Sequence, residues 1–165
     1  IGIDSRLSVV DESEEYWDHV MDVNLKPIFL MSKYAIPEMI KSGDGGSIVN
    51  ISSISATRPK GYTVYSASKG GVISLSKAMA VDHGKDGIRV NCILPGPVYT
   101  PMVFSGGMSK KLRKIRKDAS LLQIEGDAWD IGKAVVYLSS KWAKYITGQN
   151  LIVDGGCSFS SRPRG

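Results

Sequence analysis

The chain has 165 residues, of which 42% are hydrophobic and 22% charged, with a formal net charge of +5. That is one domain's worth of chain, with enough apolar content to bury a core. No apolar run approaches the roughly 18 residues that a membrane span needs, and no signal-peptide pattern is present. Cys92 and Cys157 make neither a disulfide framework nor a metal-ligand spacing, so a reducing, cytoplasmic setting is expected. His19 and His83 stand far apart and away from any cysteine, which argues against a zinc site.

Residues 1–11 read as an irregular lead-in, and the opening Ile1-Gly2-Ile3-Asp4 looks like the middle of a loop. Asp11 or Ser13 can cap a helix whose first turn carries Glu14 and Glu15, at the positive end of the helix dipole. Trp17, Val20, Met21, Ile28, Met31, Ala35 and Met39 recur at helical spacing to about Lys41. Pro27 has no N–H for the carbonyl of residue 23, so this helix should open near Val23-Asn24. Asn24 then stands among freed backbone groups, a good place for an ordered water. A surface amide near a kink is an equal reading on these grounds.

Gly43 to Gly46 turn into a strand over Ser47–Ser52. This glycine cluster precedes a strand rather than following one, so it is no dinucleotide loop. A loop through Arg58-Pro59-Lys60-Gly61 leads to a helix that carries Tyr65 and Lys69, packs through Val72, Leu75 and Met79, and ends near Gly84–Gly87. Ile88, Val90, Cys92 and Leu94 alternate along the next strand, which Pro95-Gly96-Pro97 stops. Residues 101–126 form a long connection, which in a compact domain is expected to be a functional lid or disordered. Within it Met108, Leu112, Ile115, Ala119 and Leu122 share one helical face, backed by Lys110, Lys111, Arg113, Lys114, Arg116 and Lys117. Asp127 caps a last helix through Val135, Val136 and Leu138, Gly148 turns into a strand over Leu151–Val153, and the tail beyond Phe159 reads as loose. Strands alternating with helices predict an α/β fold with a parallel sheet, one domain over 1–165 with a substrate lid at 101–126.

Tyr65-Ser66-Ala67-Ser68-Lys69 is the stretch that carries chemistry. Four residues apart on a helix, a phenol and an ammonium share one face, with small residues between them. Neither is a useful base at neutral pH alone, since their ordinary pKa values lie near ~10 and ~10.4. An ammonium beside the phenol is expected to favour the phenolate and draw the tyrosine pKa down. Such a pair suits moving a proton on or off an alcohol oxygen. Taken alone, the spacing is better read as a half-exposed tyrosine beside a solvated lysine.

Asp22-Val23-Asn24-Leu25, Asn50-Ile51-Ser52-Ser53, the Tyr65–Lys69 stretch and Arg89-Val90-Asn91-Cys92-Ile93-Leu94-Pro95-Gly96-Pro97 follow one another in an order and spacing that resembles the short-chain dehydrogenase/reductase family. The ending Ile146-Thr147-Gly148-Gln149 through Val153-Asp154-Gly155-Gly156 is similar to that family's last strand and its exit. The resemblance implies a Rossmann-like doubly wound parallel sheet, of which only the C-terminal part is present. It implies hydride transfer with NAD or NADP between an alcohol and a ketone. The family's tetrad falls on Asn24, Ser53, Tyr65 and Lys69. Tyr65 would exchange the proton, Lys69 would lower its pKa and hold the ribose hydroxyls, Ser53 would hydrogen-bond the carbonyl oxygen, and Asn24 would fix a water leading to Lys69. Pro95 and Gly96 would flank the nicotinamide, with Val98 and Thr100 at its carboxamide. Thr100 is equally read as a plain loop threonine.

The family's Gly-rich pyrophosphate turn and the residue that selects NAD or NADP have no counterpart in this sequence. At roughly 30 residues per βαβ unit, about 90 residues of the family pattern lie outside it. An inactive fragment, or a binding and oligomerisation module of the same fold, is therefore the rival reading. A hydrolase using Ser53 lacks both a Gly-x-Ser-x-Gly elbow and a placed histidine. The basic run in the lid is read first as the solvated face of an amphipathic helix, and second as a greeting for an acidic substrate or carrier. A small-molecule alcohol or ketone as substrate and a homodimer or homotetramer are expected. Neither a nucleic-acid nor a membrane partner is expected.

Overall fold

The structure, a computed structural model, describes residues 2–101 and 107–159. The loose tail expected beyond Phe159 and part of the expected lid fall outside those residues. Helix α1 (Glu14–Asn24) starts at Ser13, whose Oγ accepts from the Tyr16 N–H at 3.1 Å. It stops at Leu25, and α2 (Lys26–Ser42) follows directly with Pro27 in its first turn. The expected opening is thus a complete break. Pro27 gives the Val23 carbonyl nothing, and the Ile28 N–H bonds Leu25 O at 3.1 Å instead of the carbonyl of Asn24.

Strand β1 (Gly46–Ile51), helix α3 (Thr63–His83), strand β2 (Ile88–Pro95), helix α4 (Lys110–Asp118), helix α5 (Ala128–Ser139) and strand β3 (Asn150–Val153) follow. The sheet has the order β1-β2-β3 and both pairings are parallel, with Ile48 opposite Val90 and Ile93 opposite Leu151. Asp127 caps α5 reciprocally with Asp130: its carboxylate accepts from the backbone of Asp130, whose own carboxylate accepts from the Asp127 N–H. α4 is shorter than the apolar pattern implied, because Ala119 caps it and the chain turns at Ser120.

Helices cover both faces of β2. On one side Ile36, Met79 and Ala80 meet Ile88 and Val90, while Val72 meets Cys92 and Leu94. On the other, Ile93 packs with Leu138 of α5 and with Ala143. The strand is therefore buried on both faces, as the central strand of an α/β layer must be. Its Asn91 is fully buried, donating to Ile146 O at 2.9 Å and accepting from the Gln149 N–H at 3.0 Å. Among the described residues β1 pairs on one side only, and Ile51 at its end is 39% exposed.

Candidate active site

The carboxyl ends of β1 and β2 and the first turns of α3 meet at one place, where ligands collect in open parallel sheets. α3 begins from Gly61 and Tyr62, both at positive φ (82° and 57°), so the chain turns sharply before presenting Tyr65. Lys69 follows one turn later, with Nζ 5.7 Å from the centroid of the Tyr65 ring. It is only 5% exposed and donates to Ile51 O at 3.1 Å, which ties the ammonium to the end of β1.

The two serines after β1 do different work. Ser52 Oγ donates to Lys69 O at 2.8 Å and so braces the helix. Ser53 shares a side-chain hydrogen bond with Tyr65, and its Oγ also accepts from the Ser55 N–H at 3.1 Å. Asn24, 4% exposed at the helix break, is clamped to the lead-in: its Nδ2 donates to Ile3 O (2.9 Å) and to Ser68 Oγ (3.0 Å), and its Oδ1 accepts from the Ile3 N–H at 2.9 Å. A Cβ on Gly2 would stand 3.4 Å from Asn24 Oδ1 and 3.8 Å from Lys69 Nζ, so the lead-in backbone lies over both.

The electrostatics differ from the expectation for an isolated pair. Burial pushes the Tyr65 phenol above the ordinary tyrosine value; the hydrogen bond from Ser53 pulls it down, and the charge of Asp4 adds to the rise. Burial likewise pushes Lys69 below the ordinary lysine value. Lys69 faces the Ile51 carbonyl, and its charge does not offset the loss of water around the phenol. The Tyr65 pKa is raised here, where the spacing alone led us to expect it lowered.

The loop after β2 is held from several sides. The Gly96 N–H donates to Val153 O at 3.0 Å, and a Cβ at Gly96 would overlap Asp154, 2.7 Å from its Cα. The Val98 N–H donates to Gly96 O (2.8 Å), and Val98 O accepts from Arg116 Nη2 at 3.0 Å. The Tyr99 N–H donates to Gly126 O at 2.8 Å, and the guanidinium of Arg113 stacks 4.2 Å from the Tyr99 ring while pairing with Glu125. Pro95 ends β2 and Thr100 is half-buried beyond the stacked tyrosine. The structure thus brings Asn24, Ser53, Tyr65 and Lys69 together, and sets Pro95, Gly96, Val98 and Thr100 along the neighbouring loop.

Sequence reasoning did not single out Asp4, Ile3 or Arg116. The first two lie in an irregular segment without periodicity, and Arg116 was one of six similar charges. Only the tertiary fold distinguishes them.

The chain also matches known proteins over most of its length. A family model described as enoyl-(acyl carrier protein) reductase matches residues 1–158. The chain belongs to the short-chain dehydrogenase/reductase family. It is 38% identical over 150 residues to dehydrogenase/reductase SDR family member 4 of Homo sapiens, covering 90% of this chain and 54% of that protein. It is 41% identical over 149 residues to (3R)-3-hydroxyacyl-CoA dehydrogenase of Mus musculus, covering 87% and 55%. Among solved structures, a 4-hydroxyisoleucine dehydrogenase mutant complexed with NADH and succinate matches with a TM-score of 0.87 and 36% identity, covering 98% of this chain and 67% of the other. The chain spans about half the length of the curated relatives it matches.

Proposed function

We propose that this chain forms the catalytic part of an NAD(P)-dependent oxidoreductase that interconverts an alcohol and a ketone. The observation that carries this reading is the meeting of a half-buried phenol, a hydroxyl bonded to it and a buried ammonium at the carboxyl end of a parallel strand. The residues fit a dinucleotide's nicotinamide ribose. An ammonium has three protons, Lys69 has one described acceptor in Ile51 O, and two donors remain for a ribose diol or a water. The nicotinamide, when bound, supplies or takes up the hydride. Pro95, Gly96, Val98 and Thr100 would hold its end, with the Val98 carbonyl already taken on one side by Arg116.

Tyr65 is the proton donor to the carbonyl oxygen. With its pKa held above the ordinary value it stays protonated at neutral pH, the state that ketone reduction requires. The Ser53 hydroxyl steadies the same oxygen as charge develops there. Asn24 acts through position: its side chain is spent on Ile3 and Ser68, and the water leading to Lys69 would rest on the carbonyls freed at the helix break. The apolar surface left on α1 and α2, with Trp17, Phe29, Met31 and Tyr34 exposed, supports self-association as a homodimer or homotetramer.

The test is oxidation of NADH and NADPH with a panel of short ketones by an otherwise complete, active enzyme containing this chain, compared with its Tyr65→Phe variant. Turnover lost in the variant, with the fold retained by circular dichroism, is expected. Equal turnover in both would overturn the assignment of Tyr65.

A further inference from the structure

A cavity of about 280 Å³ opens between the loop after β2, the end of α4 with its following turn, and the exit of β3. Val98, Leu122 and Ile124 give it an apolar wall, and its charged groups are Arg116, Asp130 and Asp154. Those charges are unequally provided for. Asp130 accepts from the Asp127 N–H (3.0 Å) and from Lys133 Nζ (3.4 Å). Asp154 accepts from the backbone N–H groups of Gly156 (2.8 Å) and Ser158 (2.6 Å). Arg116 has only the neutral carbonyl of Val98, its Nε is buried without an acceptor, and among the described residues it makes no ion pair. Elsewhere on α4, Arg113 has Glu125 and Lys114 has Asp118. A half-buried guanidinium without a counter-ion is costly until something supplies one.

We infer that this cavity takes a short aliphatic carboxylate, its acid group on Arg116 and its carbon chain against Val98, Leu122 and Ile124. The volume sits below the usual ~300–1,000 Å³ of small-molecule pockets, so the chain must be short. A guanidinium suits the task because its planar fork matches two carboxylate oxygens. Nε is closed to bulk water, so the acid group reaches it with a small shift of α4, a helix that buries none of its residues. Asp130 and Asp154 oppose an anion, but the oxygens of both are turned onto N–H groups. Naming this ligand the substrate rests on the oxidoreductase reading; its binding does not.

Butyrate and butyramide share a carbon chain and differ in charge, so they separate the two contributions. Titrated into the chain without cofactor, and followed by the NMR amide shifts of Gly96, Gly126 and Gly155, butyrate should bind saturably and butyramide about tenfold more weakly or worse. Arg116→Gln should erase that difference, and Arg116→Lys should keep part of it. Leu122→Trp fills the cavity from an exposed position, leaves Arg116 in place, and should block both probes. Equal affinity for the two probes, or a preference for butyrate that survives Arg116→Gln, would overturn the inference. If Arg116→Gln fails to fold, Leu122→Trp decides, since butyrate bound as before in that variant also overturns it. No turnover enters these measurements, so their failure and a failure of Tyr65 chemistry are told apart.

Discussion

Helices α3 and α4 both border the candidate site, and they are built on opposite plans. α3 runs 21 residues and buries Val64, Ser68, Lys69, Val72, Ser76, Met79 and Ala80. Its buried hydroxyls are satisfied locally: Ser68 donates to Tyr65 O at 2.8 Å, and Ser76 donates to Val72 O at 2.7 Å and accepts from Asn50. α4 runs nine residues, six of them basic, and buries none. Lys110 and Lys111 even occupy its first turn, where they oppose the helix dipole. The proton-handling groups thus stand on an element that cannot move without disturbing the core. The cover stands on one that can shift at the expense of surface contacts alone.

The comparison breaks first at the chemistry. Tyr65→Phe deletes one hydroxyl from α3 and should cost about 10²–10⁴-fold in turnover at nearly unchanged melting temperature. Retention of more than about a tenth of the rate would mean that the rigid helix carries no proton donor. Next comes the packing beneath it. Val72 is fully buried against Cys92 and Leu94, and Val72→Ala should cost about 2–3 kcal/mol in urea unfolding. Gly96→Ala tests the loop between the two helices. Its new methyl meets the backbone of Asp154, which cannot step aside as a side chain would, and about 1–3 kcal/mol should be lost.

Lys69 gives a subtler test through pH. Its pKa is depressed by burial, so the cost of its buried charge is fully present below the depressed value. As pH rises from there toward ~10.4 the folded state sheds the proton first, and the cost fades. Tyr65 works the other way, since a raised pKa removes stability only above ~10. Lys69→Met should therefore melt higher than wild type at pH 7, with the gap closing toward pH 10. A gap independent of pH would show that Lys69 acts through packing alone. The smallest effect belongs to α4: Lys114→Ala removes an exposed i,i+4 pair with Asp118 and should change stability by about 0.5 kcal/mol or less.

Much of this was legible in the chain because local rules governed it. Pro27 announced the helix break through its missing N–H, Asp127 announced a cap, and the spacing of Tyr65 and Lys69 put both on one face. What the sequence could not settle was long-range. Ser52 and Ser53 are alike until the fold turns one to Lys69 O and the other to Tyr65. The rise in the Tyr65 pKa depends on burial and on Asp4, 61 positions away in an irregular segment. Arg116 stands apart from the five other basic residues of α4 only once the fold half-buries it against the Val98 carbonyl and leaves them exposed.

The clamp between Asn24 and Ile3 reaches into practical handling of the protein. Two hydrogen bonds of the site's asparagine side chain, and one of the charges that sets the tyrosine's proton affinity, depend on residues 3 and 4. A cut in the chain just after Asp4 would therefore act as a mutation of the site, although it alters no residue of α3. An intact-mass measurement belongs beside every rate measured on this chain.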